Sequence, residues 1–453
     1  MSTSNQFLYI PIEIGARELD AKLLIAIKAL NKNFTVILGR KAPLINFLKN
    51  SQPGVFLSIW GAHKNFKNLY KSIKDYGHNI AAMDEEGLIT LSDSNYLRLK
   101  MDKETLSYID VFFTWGEEQE NKLKLHRKEL SNKFIKAGNP RMELLHPKFI
   151  NLHLNECADI KRYANEFVLI VSSFGFCNHF DGHENYFSQL KSSGVIRDNI
   201  EEEVFRSYFA FQDKNFKQFL SLTKNLAEKF PNINFVYRKH PAEDLLSLKR
   251  YFHGYKNILL DHSKSITPWI KSSKAVIHNY CTTAVEAQLL GLPTLAYRYF
   301  IDEDIESDLP YINSEQFTSE NKLINFIDKI LNEDDFKRKP IHDSLDRFIY
   351  GLNNNESSSE TIVNSIRHII PKNFNSIKVN KSSTPKDIII KIKNFLKIIL
   401  KKESYVQHKF GVINSSHIKK KINDLCNVIN INSEEYYVDE LSKEIFIIKN
   451  KAK

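Results

Sequence analysis

Several features are missing from this sequence of 453 residues, and each absence narrows its function. The four cysteines are widely scattered with no CxxC pair, which favours reduced thiols in a cytoplasm and argues against a cysteine-based zinc site. The N-terminus lacks a basic leader followed by an apolar core, and no apolar run reaches the roughly 18 residues of a membrane span. We therefore expect a protein that is neither exported nor transmembrane.

Three well-known nucleotide and metal motifs are also absent. The chain has no GxxxxGK[ST] phosphate loop, no GxGxxG after a predicted strand and no HExxH. These absences disfavour nucleoside-triphosphate hydrolysis, dinucleotide redox chemistry and zinc hydrolysis. No aspartate pair lies in an obvious metal-binding turn, so we predict no metal site and no cofactor.

Glycine and proline are scarce, at 15 and 13 residues, whereas 42% of the chain is hydrophobic and 12% aromatic. This composition is typical of an ordered globular protein, and the length favours two domains with an appendage. Apolar runs of strand type alternate with amphipathic helical patterns, which indicates an α/β fold with parallel sheets. The predicted strands are 7–12, 34–38, 55–59, 80–83, 111–115, 134–137, 167–171, 234–238, 258–261, 275–277 and 294–297.

We place a first Rossmann-like domain at 1–150 and a second at 160–375, facing each other across a cleft. Residues 376–453 are expected to form a helical C-terminal appendage. The net charge of +10 is concentrated near the start of this appendage, where nine lysines from Lys372 to Lys402 accompany one acidic residue, Asp387. Residues 388–402 combine a broad apolar face with a cationic face, which predicts an interfacial helix on anionic lipid. The alternative is a helix packed on the protein's own core.

The stretch 274–298 predicts a strand, a turn and a helix, followed by another buried strand. In such a unit the ligand binds beyond the strand's C-terminus, where the helix amides attract an anion. Small or hydrogen-bonding residues occupy this turn, and we predict that they bind a phosphate: His278, Asn279, Thr282 and Thr283. One turn into the helix, Glu286 is a candidate acceptor for a ribose diol. The alternative reading is that Thr282 and Glu286 only cap the helix.

A basic segment directly follows the predicted strand at 234–238. Arg238, His240 and Pro241 lie where this strand ends, so the cations are expected at the C-terminal edge of the second sheet. His240 with Arg238 or Lys239 is predicted to bind a phosphate. Alternatively, a histidine at the end of a strand is structural.

An acidic turn, Asp84, Glu85 and Glu86 before Gly87, follows a strand of the first domain. Crowded carboxylates raise one another's pKa, and one held near neutrality can take a proton from an attacking hydroxyl. A solvated acidic turn is the alternative. Other polar residues at strand ends of this domain are weaker candidates for binding an acceptor: Glu13, Arg17, His63 and Arg141.

The acidic turn, the His240–Pro241 step and the Thr282–Thr283 pair resemble, in order and placement, the three motifs of bacterial sialyltransferases and Kdo transferases. Those enzymes have two facing Rossmann-like domains, the GT-B architecture. The chain is also similar, over nearly its full length, to a family of bacterial surface-carbohydrate biosynthesis proteins. That second resemblance lies in residues 9–13, 17–20, 39–40, 84–87, 138–141 and 407–410.

The resemblance implies that Glu86 deprotonates the acceptor hydroxyl, that His240 binds the donor phosphate, and that Thr282 and Thr283 hold the same phosphate or the cytidine. The third motif is usually serine-rich, and its Cys281-Thr282-Thr283 form here weakens the inference of CMP. The implied partners are a nucleotide-sugar donor, a lipid-linked glycan acceptor and the inner face of the cytoplasmic membrane, reached through 388–402. We therefore expect a peripheral, metal-independent glycosyltransferase of capsule or lipopolysaccharide synthesis, using a CMP-activated ulosonic acid.

Three alternatives remain open at this stage. A teichoic-acid-type transferase would move a polyol phosphate from a CDP donor, and a sugar-nucleotide epimerase would share the two-domain fold. A non-catalytic scaffold of a polysaccharide assembly complex is the third. Nucleic acid is not expected as a partner, because the positive charge lies on an Ile-rich helix and is not interleaved with exposed aromatics.

Overall fold

The computed structural model describes residues 6–89, 93–261, 263–302, 306–312, 314–333, 345–352, 357–371 and 413–451. The chain forms two compact units. The first comprises Met1–Leu88, Ser94–Leu152 and Asp346–Lys453, and the second comprises Ile89–Asp93 and His153–Leu345.

The first unit is built on an eight-stranded sheet with the order β13-β14-β2-β1-β3-β4-β5-β6. Its strands are β1 (Gln6–Ile12), β2 (Phe34–Arg40), β3 (Val55–Ser58), β4 (Asn79–Met83), β5 (Val111–Thr114), β6 (Phe134–Lys136), β13 (Tyr436–Ser442) and β14 (Ile445–Asn450). Strands β1 to β6 are parallel, so their C-terminal ends share one edge. That edge carries the acidic turn, which follows β4.

The second unit contains a six-stranded sheet with the order β12-β11-β10-β7-β8-β9. Its strands are β7 (Phe167–Val171), β8 (Asn234–Arg238), β9 (Ile258–Leu260), β10 (Val276–His278), β11 (Thr294–Tyr297) and β12 (Glu315–Phe317). All neighbouring strands are parallel. The ends of β8 and β10 therefore flank the end of β7, which brings the His240 turn and the Thr282 helix to one edge.

Helices fill the connections between the strands. In the first unit the α-helices are α1 (Gly15–Leu30), α2 (Lys41–Leu48), α3 (Lys67–Asp75), α4 (Asp93–Asn95), α5 (Lys103–Ser107), α6 (Glu117–His126), α7 (Pro140–Glu143), α15 (Leu345–Phe348), α16 (Ser358–Arg367) and α17 (Ser415–Val428). The first residues of α4 and α15, Asp93 and Leu345, are assigned to the second unit. In the second unit they are α8 (Leu154–Ala164), α9 (His183–Ser192), α10 (Asn199–Lys229), α11 (Leu245–Tyr251), α12 (Ile266–Ser272), α13 (Thr282–Leu289) and α14 (Glu320–Asn332). Short 3-10 or π turns occupy Lys64–Phe66, Tyr96–Lys100, Lys128–Lys133, Pro147–Phe149, Leu309–Tyr311 and Ser433–Glu435.

Both faces of the second sheet are buried. Successive residues of β7 belong to different apolar clusters, with Val168 and Ile170 in one and Phe167, Leu169 and Val171 in the other. Side chains of a strand alternate between faces, so a continuous apolar run requires helices on both sides. The predicted α/β class with two Rossmann-like domains is confirmed by these parallel sheets and their helical layers.

The prediction of a helical appendage at 376–453 is wrong for the last part of the chain, where β13 and β14 are strands. Strand β14 pairs antiparallel with β2, and β13 pairs with β14, so the C-terminus extends the first sheet. Burial of Val438, Ile445, Phe446 and Ile448 explains this arrangement, because the hairpin covers an edge of β2 that would otherwise expose unpaired backbone groups. Helix α17 lies in the same C-terminal region.

The predicted second domain, 160–375, also extends too far. Residues from Asp346 onward belong to the first unit, where Ile362, Val363 and Ile366 of α16 join its core. The predicted basic helix at 388–402 lies outside the described residues. Among the helices that the structure describes, none is long and apolar enough to cross a membrane.

The integration of the C-terminal hairpin can be tested with Phe446→Ala. Phe446 is 1% exposed and pairs in register with Leu38, so the substitution leaves a cavity in the first core and should lower the unfolding free energy by about 3–5 kcal/mol. Leu441→Ala is the matched control, because Leu441 lies on the same hairpin and is 45% exposed; its effect should stay within about 0.5 kcal/mol. Denaturant unfolding measures both, and equally small effects would show that the hairpin does not belong to the core.

Candidate functional site

The acidic turn after β4 is held rigidly by its backbone. The Asp84 carbonyl accepts hydrogen bonds from the indole Nε1 of Trp115 at 2.6 Å and from the Gly87 amide at 3.1 Å. Gly87 packs closely here, because a Cβ at this position would lie 2.7 Å from Nε2 of Gln119 and that side chain would have to shift. In this fixed turn the carboxylates of Asp84, Glu85 and Glu86 lie in three different environments.

Asp84 is buried under the turn. Its Oδ1 accepts a hydrogen bond from the Glu86 amide at 3.1 Å, and Nζ of Lys100 lies 3.8 Å away. Its Oδ2 is buried and has no hydrogen-bond partner among the described residues. Burial raises the pKa of Asp84 above its usual value, although Lys100 acts in the opposite direction.

Glu85 is also buried, in a network that the sequence did not reveal. It forms an ion pair with Lys22 of α1, which is 1% exposed, and its Oε2 accepts a hydrogen bond from Asn139 Nδ2 at 3.1 Å. Burial by itself would raise the pKa of Glu85, but Lys22, Arg141 and Arg17 outweigh it and lower the pKa. The prediction that crowding raises the pKa of these carboxylates is therefore wrong for Glu85.

Glu86 is the exposed carboxylate of the three, with 63% of its side chain accessible. Its two oxygens lie near two cations, at 3.4 Å from Nη1 of Arg17 and 3.7 Å from Nζ of Lys100. Of the predicted catalytic residues, Glu86 is the exposed one, whereas Asp84 and Glu85 are buried although they also line the pocket described below. Asp84 and Glu85 instead hold the turn that presents it.

Glu86 borders a pocket of about 190 Å³ at the C-terminal edge of the first sheet. In this pocket Lys41 places its Nζ 4.0 Å from the ring centre of Trp60, whose Nε1 donates to Glu13 Oε2 at 2.7 Å. The lining combines aromatic faces, carboxylates and cations, which suits a hydroxyl-rich ligand. The residues lining the pocket are Glu13, Ile14, Arg17, Lys41, Ile59, Trp60, Phe66, Asp84, Glu85, Glu86 and Lys100.

Two of the four predicted acceptor-binding residues line this pocket, namely Glu13 and Arg17. The other two have structural contacts near it. His63 accepts a hydrogen bond from the Asn65 amide at 3.1 Å and caps a short turn, while Arg141 lies at the start of α7 and its charge lowers the pKa of Glu85. Neither His63 nor Arg141 is among the lining residues.

In the second unit, the turn after β8 carries His240 and Pro241 on the surface. Nδ1 of His240 accepts a hydrogen bond from the Ala242 amide at 3.2 Å, so the neutral ring carries its proton on Nε2. The His240 amide donates to Oε1 of Glu243 at 3.0 Å. The turn therefore holds the imidazole in one orientation, with a donor nitrogen on its far side.

The turn after β10 lies at the same edge of the sheet. Oδ1 of Asn279 accepts a hydrogen bond from the Ser173 amide at 3.2 Å, which ties β10 to the end of β7. Helix α13 begins at Thr282, and Thr282 and Thr283 are partly exposed in its first turn. Since β8 and β10 both pair with β7, their ends lie roughly 10 Å apart, a distance that one phosphorylated ligand can span.

Three predicted nucleotide-binding residues are placed differently from the expectation. His278 is fully buried, where its Nε2 lies 2.8 Å from Oγ of Ser314, and burial lowers its pKa to about 3. Arg238 donates to the carbonyls of Ser263 and Lys264, and its guanidinium packs over the ring of Trp269. His278 and Arg238 are therefore structural, and Glu286 is buried within α13.

Sequence reasoning missed several residues that shape both sites. Lys22 lies within the apolar face of α1, and a lone charge there was a detectable sign of a buried partner. Glu243 follows His240 by three residues, a spacing that lets its side chain reach back to the His240 amide. Lys41 and Lys100 had no such local signal, because folding brings them to the pocket from distant segments. No cluster of His, Cys, Asp or Glu that could hold a metal ion occurs among the described residues.

No protein-family model matches the chain, and no curated protein matches its sequence. Among solved structures, the UDP-GlcNAc 2-epimerase of Methanocaldococcus jannaschii, bound to UDP-GlcNAc and UDP, is 13% identical with a TM-score of 0.48, over 80% of this chain and 100% of that one. The wall teichoic acid polymerase TagF is 13% identical with a TM-score of 0.48, over 81% of this chain and 88% of that one. The UDP-GlcNAc 2-epimerase of Neisseria meningitidis, bound to UDP-GlcNAc, is 14% identical with a TM-score of 0.47, over 80% and 100%. Similarity at this level concerns the fold and assigns no activity to the chain.

The buried Lys22–Glu85 pair predicts a large stability cost when one partner is removed. Lys22→Met removes the buried cation that contacts the Glu85 carboxylate, so the unfolding free energy should fall by about 3–5 kcal/mol. Combining it with Glu85→Gln should cost much less than the sum of the two single changes. Denaturant unfolding of all four proteins measures this coupling.

The control for this cycle is the pair Lys71–Asp75, an exposed ion pair on α3 at 2.8 Å. Lys71→Met and Asp75→Asn should each change stability by less than about 0.5 kcal/mol and show coupling of that size or smaller. Additive effects of Lys22→Met and Glu85→Gln would contradict the assigned ion pair.

Proposed function

We propose that the protein is a glycosyltransferase of bacterial surface polysaccharide biosynthesis, which transfers a sugar from a nucleotide-sugar donor to a lipid-linked glycan. The proposed donor is a CMP-activated ulosonic acid of the Kdo or sialic acid type. The enzyme would act at the inner face of the cytoplasmic membrane, and the cationic and apolar residues of 388–402 would contact lipid. The donor, acceptor and membrane assignments derive from the sequence resemblance and the charge pattern.

The observation that carries this proposal is the placement of Glu86. It is an exposed carboxylate at the mouth of a polar and aromatic pocket, held by a turn whose other two carboxylates are buried. A general base must reach the proton that it removes, and Glu86 is the exposed carboxylate of this turn. Arg17 and Lys100 flank it and are suited to orient an acceptor's oxygen atoms.

The proposed transfer has an acceptor side, for which Glu86 is the base, and a donor side, for which the turns after β8 and β10 are the phosphate site. Glu86 takes the proton of the acceptor hydroxyl as its oxygen bonds to the anomeric carbon of the donor. The bond from that carbon to the phosphate oxygen breaks, and the electron pair leaves with the nucleotide. The proton on His240 Nε2 and the amide end of α13, near Thr282 and Thr283, are suited to neutralise the charge that develops on this phosphate.

Nucleotide binding is the first test. Purified protein is melted with CMP, CDP, UDP, UDP-GlcNAc, GDP and ADP, since a ligand that binds the folded state raises the melting temperature. We expect selective stabilisation by CMP that is lost in His240→Ala. His253→Ala is the matched control, because His253 is an exposed histidine of the same unit, and this variant should keep the CMP response.

Each other outcome of the nucleotide panel would favour a different function. A preference for CDP would favour the polyol phosphotransferase, and a preference for UDP or UDP-GlcNAc would favour the epimerase or a transferase with a different donor. A protein that responds to none of these nucleotides would be assigned as a scaffold, and the proposed function would be rejected.

The role of Glu86 is tested with Glu86→Gln. This variant should lose about 10²–10⁴-fold in the rate of transfer, because the amide cannot accept the acceptor's proton. Its melting-temperature shift with CMP should match the wild-type protein. Transfer of a radiolabelled ulosonic acid from its CMP-linked form to lipid extracted from membranes measures the rate. Glu117→Gln, at an exposed carboxylate of the same unit, is the control, and unchanged transfer by Glu86→Gln would exclude Glu86 as the base.

A further inference from the structure

One buried carboxylate, Glu243, joins the two segments that follow β7 and β8. Its Oε1 accepts three hydrogen bonds, from Oγ of Ser172 at 2.6 Å, from the Phe174 amide at 3.0 Å and from the His240 amide at 3.0 Å. Glu243 is 1% exposed, so these bonds are shielded from water. Because Oε1 of Glu243 accepts hydrogen bonds from both segments, the conformation of the segments that follow β7 and β8 depends on the Glu243 side chain.

The same contacts determine where the His240 ring lies. The Glu243 amide donates to the His240 carbonyl at 2.9 Å, while the His240 amide donates to the Glu243 side chain, so the turn is closed from both ends. Gly175 packs flat against the ring, since a Cβ at that position would lie 2.3 Å from Nδ1 of His240. Without the Glu243 carboxyl, neither the turn nor the segment from Ser172 to Gly175 would keep this arrangement.

The second oxygen of Glu243 has a different environment. Oε2 is buried and has no hydrogen-bond partner among the described residues. The titratable or charged groups around Glu243 are Tyr237 and Lys239 from β8 and its end, Cys177 and His179 after β7, and His240 itself. Burial raises the pKa of Glu243 to about 7, and its hydrogen bonds and Lys239 only partly oppose that shift.

We propose that Glu243 is the positioning residue of the phosphate site, and that it takes up a proton from solvent when an anionic phosphate binds at His240. This inference rests on the proposed function, which places the donor phosphate there. A negative charge on the buried carboxylate would repel the incoming phosphate, whereas the neutral acid keeps Oε1 as the acceptor of all three hydrogen bonds. The proton adds to Oε2, which none of those bonds uses.

Two substitutions separate the positioning effect from the protonation effect. Glu243→Ala removes the shared acceptor, so CMP affinity at pH 6.5 should fall at least about tenfold, the cost of leaving buried donors unpaired. Glu243→Gln keeps an accepting oxygen and has no proton to gain, so it should restore most of the affinity lost in Glu243→Ala. Glu203→Gln, at an exposed carboxylate on α10, is the control. Isothermal calorimetry with CMP measures all four proteins.

The pH profile is the readout that a merely structural role would leave unchanged. Between pH 6.5 and 8.5 the CMP affinity of the wild-type protein should fall more steeply than that of Glu243→Gln, by up to about tenfold per pH unit above pH 7. Titrations in buffers of different ionisation enthalpy should show correspondingly greater proton uptake by the wild-type protein. Comparison with Glu243→Gln removes the titration of the CMP phosphate itself, which both proteins share. Identical slopes would overturn the protonation step.

Stability without ligand provides an independent check. The raised pKa means that the folded state binds a proton that the unfolded chain releases, so wild-type stability should fall as the pH rises from about 4.5 through about 7. Glu243→Gln should lose this component of the profile, and Glu203→Gln should retain it. A profile of Glu243→Gln that matches the wild-type protein would contradict a buried titrating carboxyl, even if Glu243→Ala fails to fold.

The outcomes also distinguish this inference from the proposed function. If the wild-type protein binds CMP and His240→Ala does not, but Glu243→Ala binds as the wild-type protein does, the positioning role is wrong and the proposed function stands. If no nucleotide binds the wild-type protein, both are rejected.

Discussion

The buried ion pair between Lys22 and Glu85 is the interaction on which the first site depends. Removing these two charges from water costs free energy. Their close contact with each other and the hydrogen bond from Asn139 to Glu85 offset that cost. The pair ties α1 to the turn after β4. Because that turn cannot rotate while Glu85 points inward, its neighbour Glu86 must point outward.

The second unit achieves a similar result with hydrogen bonds alone. Glu243 is buried like Glu85, but three neutral donors surround its Oε1 instead of a buried cation. The consequence is opposite in sign, since cations lower the pKa of Glu85 and burial raises that of Glu243. Both carboxylates hold a candidate turn at the C-terminal ends of parallel strands, and burial raises the pKa of Glu243 to about 7.

Much of the fold was predictable because its physical origin is local. The apolar run at 167–171 and the helical pattern of α1 encode a strand buried on both faces and a buried helix without reference to distant residues. The C-terminal hairpin was not predictable in this way. The run Ile445–Ile448 is of strand type, but no local pattern reveals that it pairs with the edge of β2, some 400 residues earlier in the sequence.

For the candidate site, the sequence by itself determined which residues follow the strands, and therefore that Glu86, His240 and Thr282 lie at the C-terminal edges of their sheets. Only the tertiary structure decided which of those residues face solvent. His278 also follows the expected pattern, but it is buried against Ser314. The reason is physical: exposure depends on what packs above a side chain, and such packing is supplied by segments far away in the sequence.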